Sequence, residues 1–565
     1  MNKHFVDPKT MSISSFIADI ELLHKMTSEH FNLDSPRMAN GITETFASLL
    51  DKECLSQESS SISDVYADLA RYTQGILKWN HPGAMINVTP PPSVPSTAAA
   101  SYLSLFNPNG AQDMSSGHLL VTELAVVKFL AELAGFDPKR AGGVFTFGGK
   151  STNLHAVKHG IQRIEPEAAK HGVSGDIVIV SSKQGHPCHS EVCGWLGIGE
   201  TKSLRVGTDS RGVVDLGLLE ATLDSALSKG LKIATIFANG GTTIQMAIDP
   251  ISQIAALRNQ MVEKYELPYT PRVHVDSVIG WIFLFFKTYD FVKNDLDLHP
   301  RVLEKIARQV TRIRDISYAD SFGVDFHKTG FCSYTSSVYI AASRGEIYQQ
   351  GGIEDPDHPI GGGGKFATPY DEVRFGNHSP FQYTLELSRA LSGPVEAYVN
   401  LKLFGITGYQ KLVGELFDAT EHFRQQLAAT GRFEMVSDDD SDGFATLFVA
   451  HPTVGFRSFF DLGEDDRASF EELGLYNYRF YLYCFERQEL GRCRVAFDYS
   501  SGYHSFRSGS KIGVQKAYPV SPFFTRIEAV LMADELTALL HEFDGQQDTF
   551  VLRTSPHQPR PMIFR

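Results

Sequence analysis

The stretch Ala319-Asp320-Ser321-Phe322-Gly323-Val324-Asp325-Phe326-His327-Lys328 decides the fold, once it is set against Arg272-Val273-His274-Val275-Asp276 upstream. The upstream segment is apolar, of strand length, and ends on an aspartate. The downstream segment places a lysine directly after a histidine. Taken singly, Lys328 could be a solvated surface lysine and Asp276 a strand-end cap. Taken together they supply an amine able to bond covalently to a carbonyl-bearing cofactor and a carboxylate able to keep a ring nitrogen protonated.

Outward from this pair, short apolar runs alternate with helical patterns. Residues 143–147, 176–181, 233–238 and 272–276 read as strands, 251–265 as a helix, and 119–135 as a helix stopped by Gly135. Such alternation predicts an α/β fold with a mostly parallel sheet covered on both faces, with ligands gathered where strands end. Residues 12–78 read as helical with polar breaks, and Thr89-Pro90-Pro91-Pro92-Ser93-Val94-Pro95 interrupts them, because consecutive prolines cannot continue a helix. Residues 347–381, with Gly361-Gly362-Gly363-Gly364, break the pattern and read as a lid or insert. A helical pattern returns over 388–404, and a separate α+β unit closes with an amphipathic helix near 525–543. The expected division is an N-terminal helical segment (1–85), a large domain (86–395) and a C-terminal small domain (396–565).

Bulk properties narrow the function classes. The 565 residues carry 52 basic and 66 acidic side chains, a net charge of −14, which suits neither nucleic acid nor an anionic membrane surface. The longest apolar run, residues 278–286, is too short to span a bilayer. The opening Met1-Asn2-Lys3-His4-Phe5-Val6-Asp7 lacks an apolar signal core, and six cysteines form no paired framework, so a cytoplasmic protein with reduced thiols is expected.

Three further motifs carry chemistry. Thr146-Phe147-Gly148-Gly149-Lys150-Ser151-Thr152-Asn153 follows a strand and opens a helix, where backbone amides can hold a phosphate. A nucleotide-binding P-loop would need a glycine at position 144, which is Val144. His186-Pro187-Cys188-His189-Ser190-Glu191-Val192-Cys193 follows the next strand, where an imidazole can stack on a planar cofactor and handle a proton. Its spacing matches no common zinc pattern, and no metal is expected. Ala238-Asn239-Gly240-Gly241-Thr242-Thr243 ends another strand and offers the Thr242 hydroxyl. In order, the chain supplies a phosphate cradle, a ring-stacking histidine, a hydroxyl, a pyridinium partner and an imine-forming lysine, the set that pyridoxal phosphate requires.

These residues in this order resemble the group II pyridoxal-phosphate-dependent amino-acid decarboxylases, the family of glutamate and aromatic amino-acid decarboxylases. The likeness runs from about His81 to Arg389 and rests on Gly148-Gly149 with Asn153, His186 with Leu196-Gly197-Ile198-Gly199, Gly241-Thr242-Thr243 with Asp249-Pro250, His274-Val275-Asp276, Asp320-Ser321 with His327-Lys328, and Ser388-Arg389.

The resemblance implies an aspartate-aminotransferase-like type I fold, a homodimer with the active site at the subunit interface, and conversion of an L-amino acid to its amine and carbon dioxide. It implies Lys328 as the covalent anchor, Asp276 as pyridinium partner, His186 as the stacking and proton-handling residue, and Thr242 as a cofactor contact. Phosphate would be held around Gly149, Lys150 and Ser151, with Asp325 and His327 nearby. Tyr348, Tyr370 and His378 are the lid residues that could return a proton to the α-carbon. The chain departs from the family pattern at Lys150, at Ser277, Val278 and Trp281, and at Phe326, so the pocket behind the ring should differ in shape. A second enzymatic outcome is a carbon–carbon lyase acting on a phosphorylated amino alcohol, with Lys150 or Lys365 receiving the substrate phosphate.

Overall fold

The alternating pattern resolves into two sheets in the computed structural model, which describes residues 4–38, 41–42, 44–350, 359–360, 364–365, 375–376, 378–436, 441–462, 466–504 and 511–546. The strands in chain order are β1 (Ala84–Met85), β2 (Gly142–Thr146), β3 (Ile177–Ser182), β4 (Ser203–Val206), β5 (Lys232–Asn239), β6 (Arg272–Asp276), β7 (Ser321–Asp325) and β8 (Ser337–Ala341). There follow a two-residue pair, β9 (Pro359–Ile360) and β10 (Gly364–Lys365), then β11 (Phe433–Met435), β12 (Thr446–Ala450), β13 (Ala496–His504) and β14 (Lys511–Ala517).

The large sheet has the order β2-β8-β7-β6-β5-β3-β4. β7, β6, β5, β3 and β4 pair in parallel, while β8 runs antiparallel to both β2 and β7. One reversed strand in an otherwise parallel sheet is the mixed architecture expected of a type I fold. Every residue of β6 and β7 is buried, as strands covered on both faces must be. One face is covered by the helix Gly149–Ile164, which packs on β5, β6 and β7. The helix Val121–Ala134 ends on Gly135 in the left-handed conformation (φ 85°), the stop that the sequence pattern requires.

The apolar run around residues 278–286 forms a 3-10 helix, Gly280–Thr288, whose Trp281 to Phe286 are all buried in the main core. It is a core element rather than a membrane segment, and among the described residues no helix is long and apolar enough to cross a membrane. The proline-rich crossing leads to the helix Val94–Ser104, capped by Ser93 and with proline in its first turn, where a missing N–H costs nothing.

The second sheet has the order β1-β13-β14-β12-β11. Its strand β1 comes from residues 84–85 and lies parallel to β13, so chain from before the large domain joins the C-terminal unit. The long helix Ser392–Ala429 crosses position 395 and is broken at Gly405 (φ 57°, ψ −165°). Most of the expected lid, Tyr370 included, lies outside the described residues, and of Lys365 only the backbone, in β10, is described.

Candidate active site

β2, β3, β5, β6 and β7 all point the same way, so Thr146, Ser182, Asn239, Asp276 and Asp325 finish along one edge of the sheet. The motifs singled out in the sequence sit in the turns that leave these ends. Asp276 pairs in register with Asn239 on one side and Gly323 on the other, at the centre of that edge.

Asp276 is buried, and its Oδ2 accepts hydrogen bonds from His189 Nε2 (2.9 Å) and Asn153 Nδ2 (3.0 Å). Burial alone would raise its pKa, but the hydrogen bonds of His189 and the Asn153 amide, with the His186 imidazole nearby, outweigh this and hold it well below the usual carboxylate range. It is a buried anion whose Oδ1 has no hydrogen-bond partner among the described residues. An orphaned carboxylate oxygen costs about 1–3 kcal/mol unless something meets it, and a protonated pyridine nitrogen is such a group.

Lys328 follows β7 in the short helix Phe326–Thr329, and its Nζ lies 2.9 Å from Asp325 Oδ2. Burial would lower the lysine's pKa, yet the charge and hydrogen bond of Asp325, with Asp276 and Tyr334 adding, raise it. The second oxygen of Asp325 accepts from Ser337 Oγ at 2.6 Å, and His327 Nε2 stands 3.5 Å from Oδ2. A Cβ on Gly149 would meet Asp325 Oδ2 at 2.7 Å, so only glycine fits where the carboxylate abuts the start of the helix Gly149–Ile164. That helix has no side-chain cap, Gly148 before it adopts φ 125°, and the buried Ser151 Oγ is without a partner. The first-turn N–H groups, of which that of Ser151 is taken up by the Gly148 carbonyl, and an open hydroxyl at a helix N-terminus form an anion cradle. Asp276, Lys328 and this cradle therefore fit pyridoxal phosphate.

The remaining sequence candidates fall out unevenly. His186 follows β3, accepts from the Cys188 N–H at 3.1 Å, and is pushed down to about 4 by burial, against the pull of Asp276 and with Lys328 adding to the fall. Thr242 Oγ1 accepts from the Ala247 N–H at 3.1 Å, which fixes its turn and leaves its proton for donation. Lys150 is nearly half exposed (46%) and ion-paired with Glu191, which engages the charge expected to serve a phosphate. Tyr348 is packed in the core against Tyr383 (5.1 Å between ring centroids), so it is no lid residue. His378 is held through its backbone by Asp113.

The segment from Cys188 to Trp195 is a helix. It carries His189, fully buried, to Asp276, a contact that the sequence did not single out. An i, i+3 pair of histidines just after a strand was the available signal. Cys188, His189 and Asp276 bring three ligand-type atoms within 4.8 Å of one another. Burial, with Asp276 adding, pushes the Cys188 thiol up to about 12. Tyr334 was also missed; its ring lies 4.4 Å from that of His327. Two of the departures, Trp281 and Phe326, touch each other (4.9 Å between centroids), and Phe326 stacks on Phe145.

The pyridoxal-dependent decarboxylase conserved domain matches residues 45–297, a span that holds Asp276 but stops short of Lys328. An L-2,4-diaminobutyrate decarboxylase of Rhizobium meliloti is 27% identical over 301 residues, 53% of each chain. An acidic amino acid decarboxylase of Homo sapiens is 27% identical over 241 residues, 42% of this chain and 44% of that one. The matched stretches thus span about half the length of these curated relatives. Among solved structures, the glutamate decarboxylase domain of a Vibrio parahaemolyticus protein overlays with a TM-score of 0.71 at 17% identity, covering 96% of this chain and 98% of its own. Oryza sativa TDC with PLP and tryptamine gives 0.70 at 14% identity, covering 94% and 99%. At such identities the overlays speak for the fold, and over residues 45–297 the chain is similar to the pyridoxal-dependent decarboxylases.

Proposed function

We propose that the protein decarboxylates an L-amino acid to the corresponding amine, with pyridoxal phosphate held at the carboxyl edge of the large sheet. The observation that carries this is the buried anion Asp276 with an open Oδ1, on the same sheet edge as a lysine held by Asp325. Bound there, the cofactor would supply an electron-withdrawing ring that accepts the electron pair left when carbon dioxide departs.

This chain's residues do the rest. Asp276 Oδ1 keeps a proton on the ring nitrogen, and because the carboxylate is buried the interaction is strong. The N–H groups from Gly149 onward and the Ser151 hydroxyl hold the phosphate, and Lys328 anchors the aldehyde carbon. Asp325 holds the proton of the Lys328 ammonium until the amine is needed. His186, neutral because it is buried, offers a flat face and a ring nitrogen able to take or return a proton. The relatives support decarboxylation in preference to the lyase alternative, since their names are those of decarboxylases.

A homodimer is part of this proposal. The N-terminal helices Ser14–Ser28 and Ile62–Arg71 expose Ile17, Ile20, Val65 and Leu69, each 44–51% accessible, an apolar surface that a second copy could cover. The free thiols of all six cysteines agree with a cytoplasmic setting. The test is purified protein challenged with a panel of amino acids for carbon dioxide release, then borohydride reduction and peptide mapping. The pyridoxyl group is expected on Lys328. Its appearance on Lys150 instead, or the absence of carbon dioxide with every amino acid, would refute the proposal.

A further inference from the structure

His189 is the partner of Asp276 to which the roles above give no task. It is fully buried, and its ring lies parallel to that of Phe237 on β5, at 4.2 Å between centroids and 13° between planes. Gly185 comes so close that a Cβ there would stand 2.9 Å from Nδ1. The ring is thereby fixed in place, with Nε2 2.9 Å from Asp276 Oδ2.

The chemistry of the two groups fixes the tautomer. An ionised carboxylate only accepts, so the hydrogen must sit on Nε2. Nδ1 has no partner among the described residues, and burial, opposed by the hydrogen bond and charge of Asp276, lowers the imidazole's pKa, so the ring is neutral. The charged and titratable groups that act on the pair are Arg205, His186, Cys188, His274 and Lys328. A cationic partner such as arginine would orient Asp276 but also neutralise it, in competition with a pyridinium. A neutral donor orients without neutralising, and the Asn153 amide on the same oxygen is of the same kind.

We propose that His189 is a positioning residue for Asp276: a neutral imidazole, stacked on Phe237 and closely approached by Gly185, that engages Oδ2 so that Oδ1 and the full negative charge are left for the ring nitrogen of pyridoxal phosphate. This rests on the cofactor assignment above, and its experiment separates the two.

In cofactor-free full-length protein with 15N-labelled imidazoles, the His189 signal, assigned by its loss in His189→Gln, is expected to be that of a neutral ring with hydrogen on Nε2, unchanged from about pH 6 to about pH 8. An imidazolium, or a ring with hydrogen on Nδ1, overturns the role. Protein loaded with pyridoxal phosphate labelled at the ring nitrogen gives the second readout. Wild type and His189→Gln, which keeps a neutral donor, should show a protonated nitrogen. His189→Leu should shift that nitrogen toward the unprotonated position and weaken cofactor binding about 10- to 100-fold, the usual effect of removing an orienting partner. Retention of the wild-type nitrogen shift and affinity by His189→Leu overturns the proposal, as does a Gln variant that behaves like Leu. Failure of every form to bind cofactor overturns the assignment on which the role rests, and is distinguishable because the imidazole spectrum is recorded without cofactor.

Discussion

The two ends of β6 and β7 carry the same kinds of charge in opposite condition. At the starting end, Asp320 accepts from Arg163 (3.0 Å), Arg258 (2.9 Å) and the Val273 N–H (2.8 Å). Glu346 accepts from Arg272 (2.6 Å) and Arg163 (2.9 Å from Nε), and Arg272 also donates to Ser321 Oγ. None of these six side chains has a buried polar atom without a partner among the described residues. At the finishing end, Asp276 Oδ1, Ser151 Oγ, Asn153 Oδ1 and His189 Nδ1 are all unmet among the described residues. Each unmet atom costs stability, so a fold that satisfies every charge at one edge while leaving a cluster open at the other marks the open edge as the place where another molecule completes the bonding.

Breaking the satisfied end should unfold the protein without altering its chemistry. Arg272→Met removes the fully buried partner of Glu346, leaving it only Arg163, and should destabilise by up to about 3–5 kcal/mol, read as a lower thermal midpoint, with turnover per folded molecule retained. Loss of turnover with an unchanged midpoint would reverse the comparison.

Breaking the open end should do the opposite. Asp276→Asn should lower turnover about 10²- to 10³-fold, on the order of 3–4 kcal/mol of transition-state stabilisation, with a thermal midpoint close to wild type. A variant that turns over normally excludes Asp276 as the ring-nitrogen partner.

His274 lies on β6 between the two ends, fully buried, with Nδ1 2.8 Å from Ser321 Oγ. Burial, against the pull of Asp276 and helped by Arg272, pushes its pKa down to about 3. A histidine depressed in the folded state contributes stability above its unfolded pKa of about 6.5, and that stability is lost as pH falls toward the folded value. Between about pH 6 and pH 4 the wild type should lose up to about 1.4 kcal/mol per pH unit through this residue. His274→Gln should flatten the dependence, and an equally steep profile in that variant would assign the acid sensitivity to other imidazoles, His186 first.

The smallest effect is expected at Lys150. Its pair with Glu191 is half exposed, so Lys150→Ala should change stability by less than about 1 kcal/mol and cofactor affinity only slightly. A large loss of affinity would return Lys150 to the phosphate cradle.

Much of this was legible in the sequence. β3 and β5 are mostly apolar runs closed by polar residues, and such runs say both where a buried strand lies and where it ends, while β6 was marked by its two valines and terminal Asp276. β4 was missed because Ser203-Leu204-Arg205-Val206 is a half-buried edge without that signature. β8 escaped because Ser337-Val338-Tyr339-Ile340-Ala341 has no marker of direction, and its reversal is set by which neighbours it meets. Within the site, motifs placed Lys328 and Asp276, since the chemistry demands those residue types. The contact of His189 with Asp276 was illegible, because it depends on a helix starting at Cys188 and on the absence of a side chain at Gly185. The pairing of Lys150 with Glu191 was illegible for the matching reason: it is set only by packing between two helices.

The pairing of β1 with β13 has a consequence for the order in which the chain is made. Ala84 opposes Ala496, so one strand of the small sheet leaves the ribosome about 400 residues before its partner, roughly 20–80 s earlier at ordinary synthesis rates. The large sheet can assemble in that interval, since its strands all lie between Gly142 and Ala341. The small sheet cannot, and Ala84-Met85 must stay unpaired until the C-terminal strands arrive. A chain stalled or cleaved before Ala496 would therefore carry a finished cofactor edge beside an unclosed sheet, a species open to strand pairing with its neighbours.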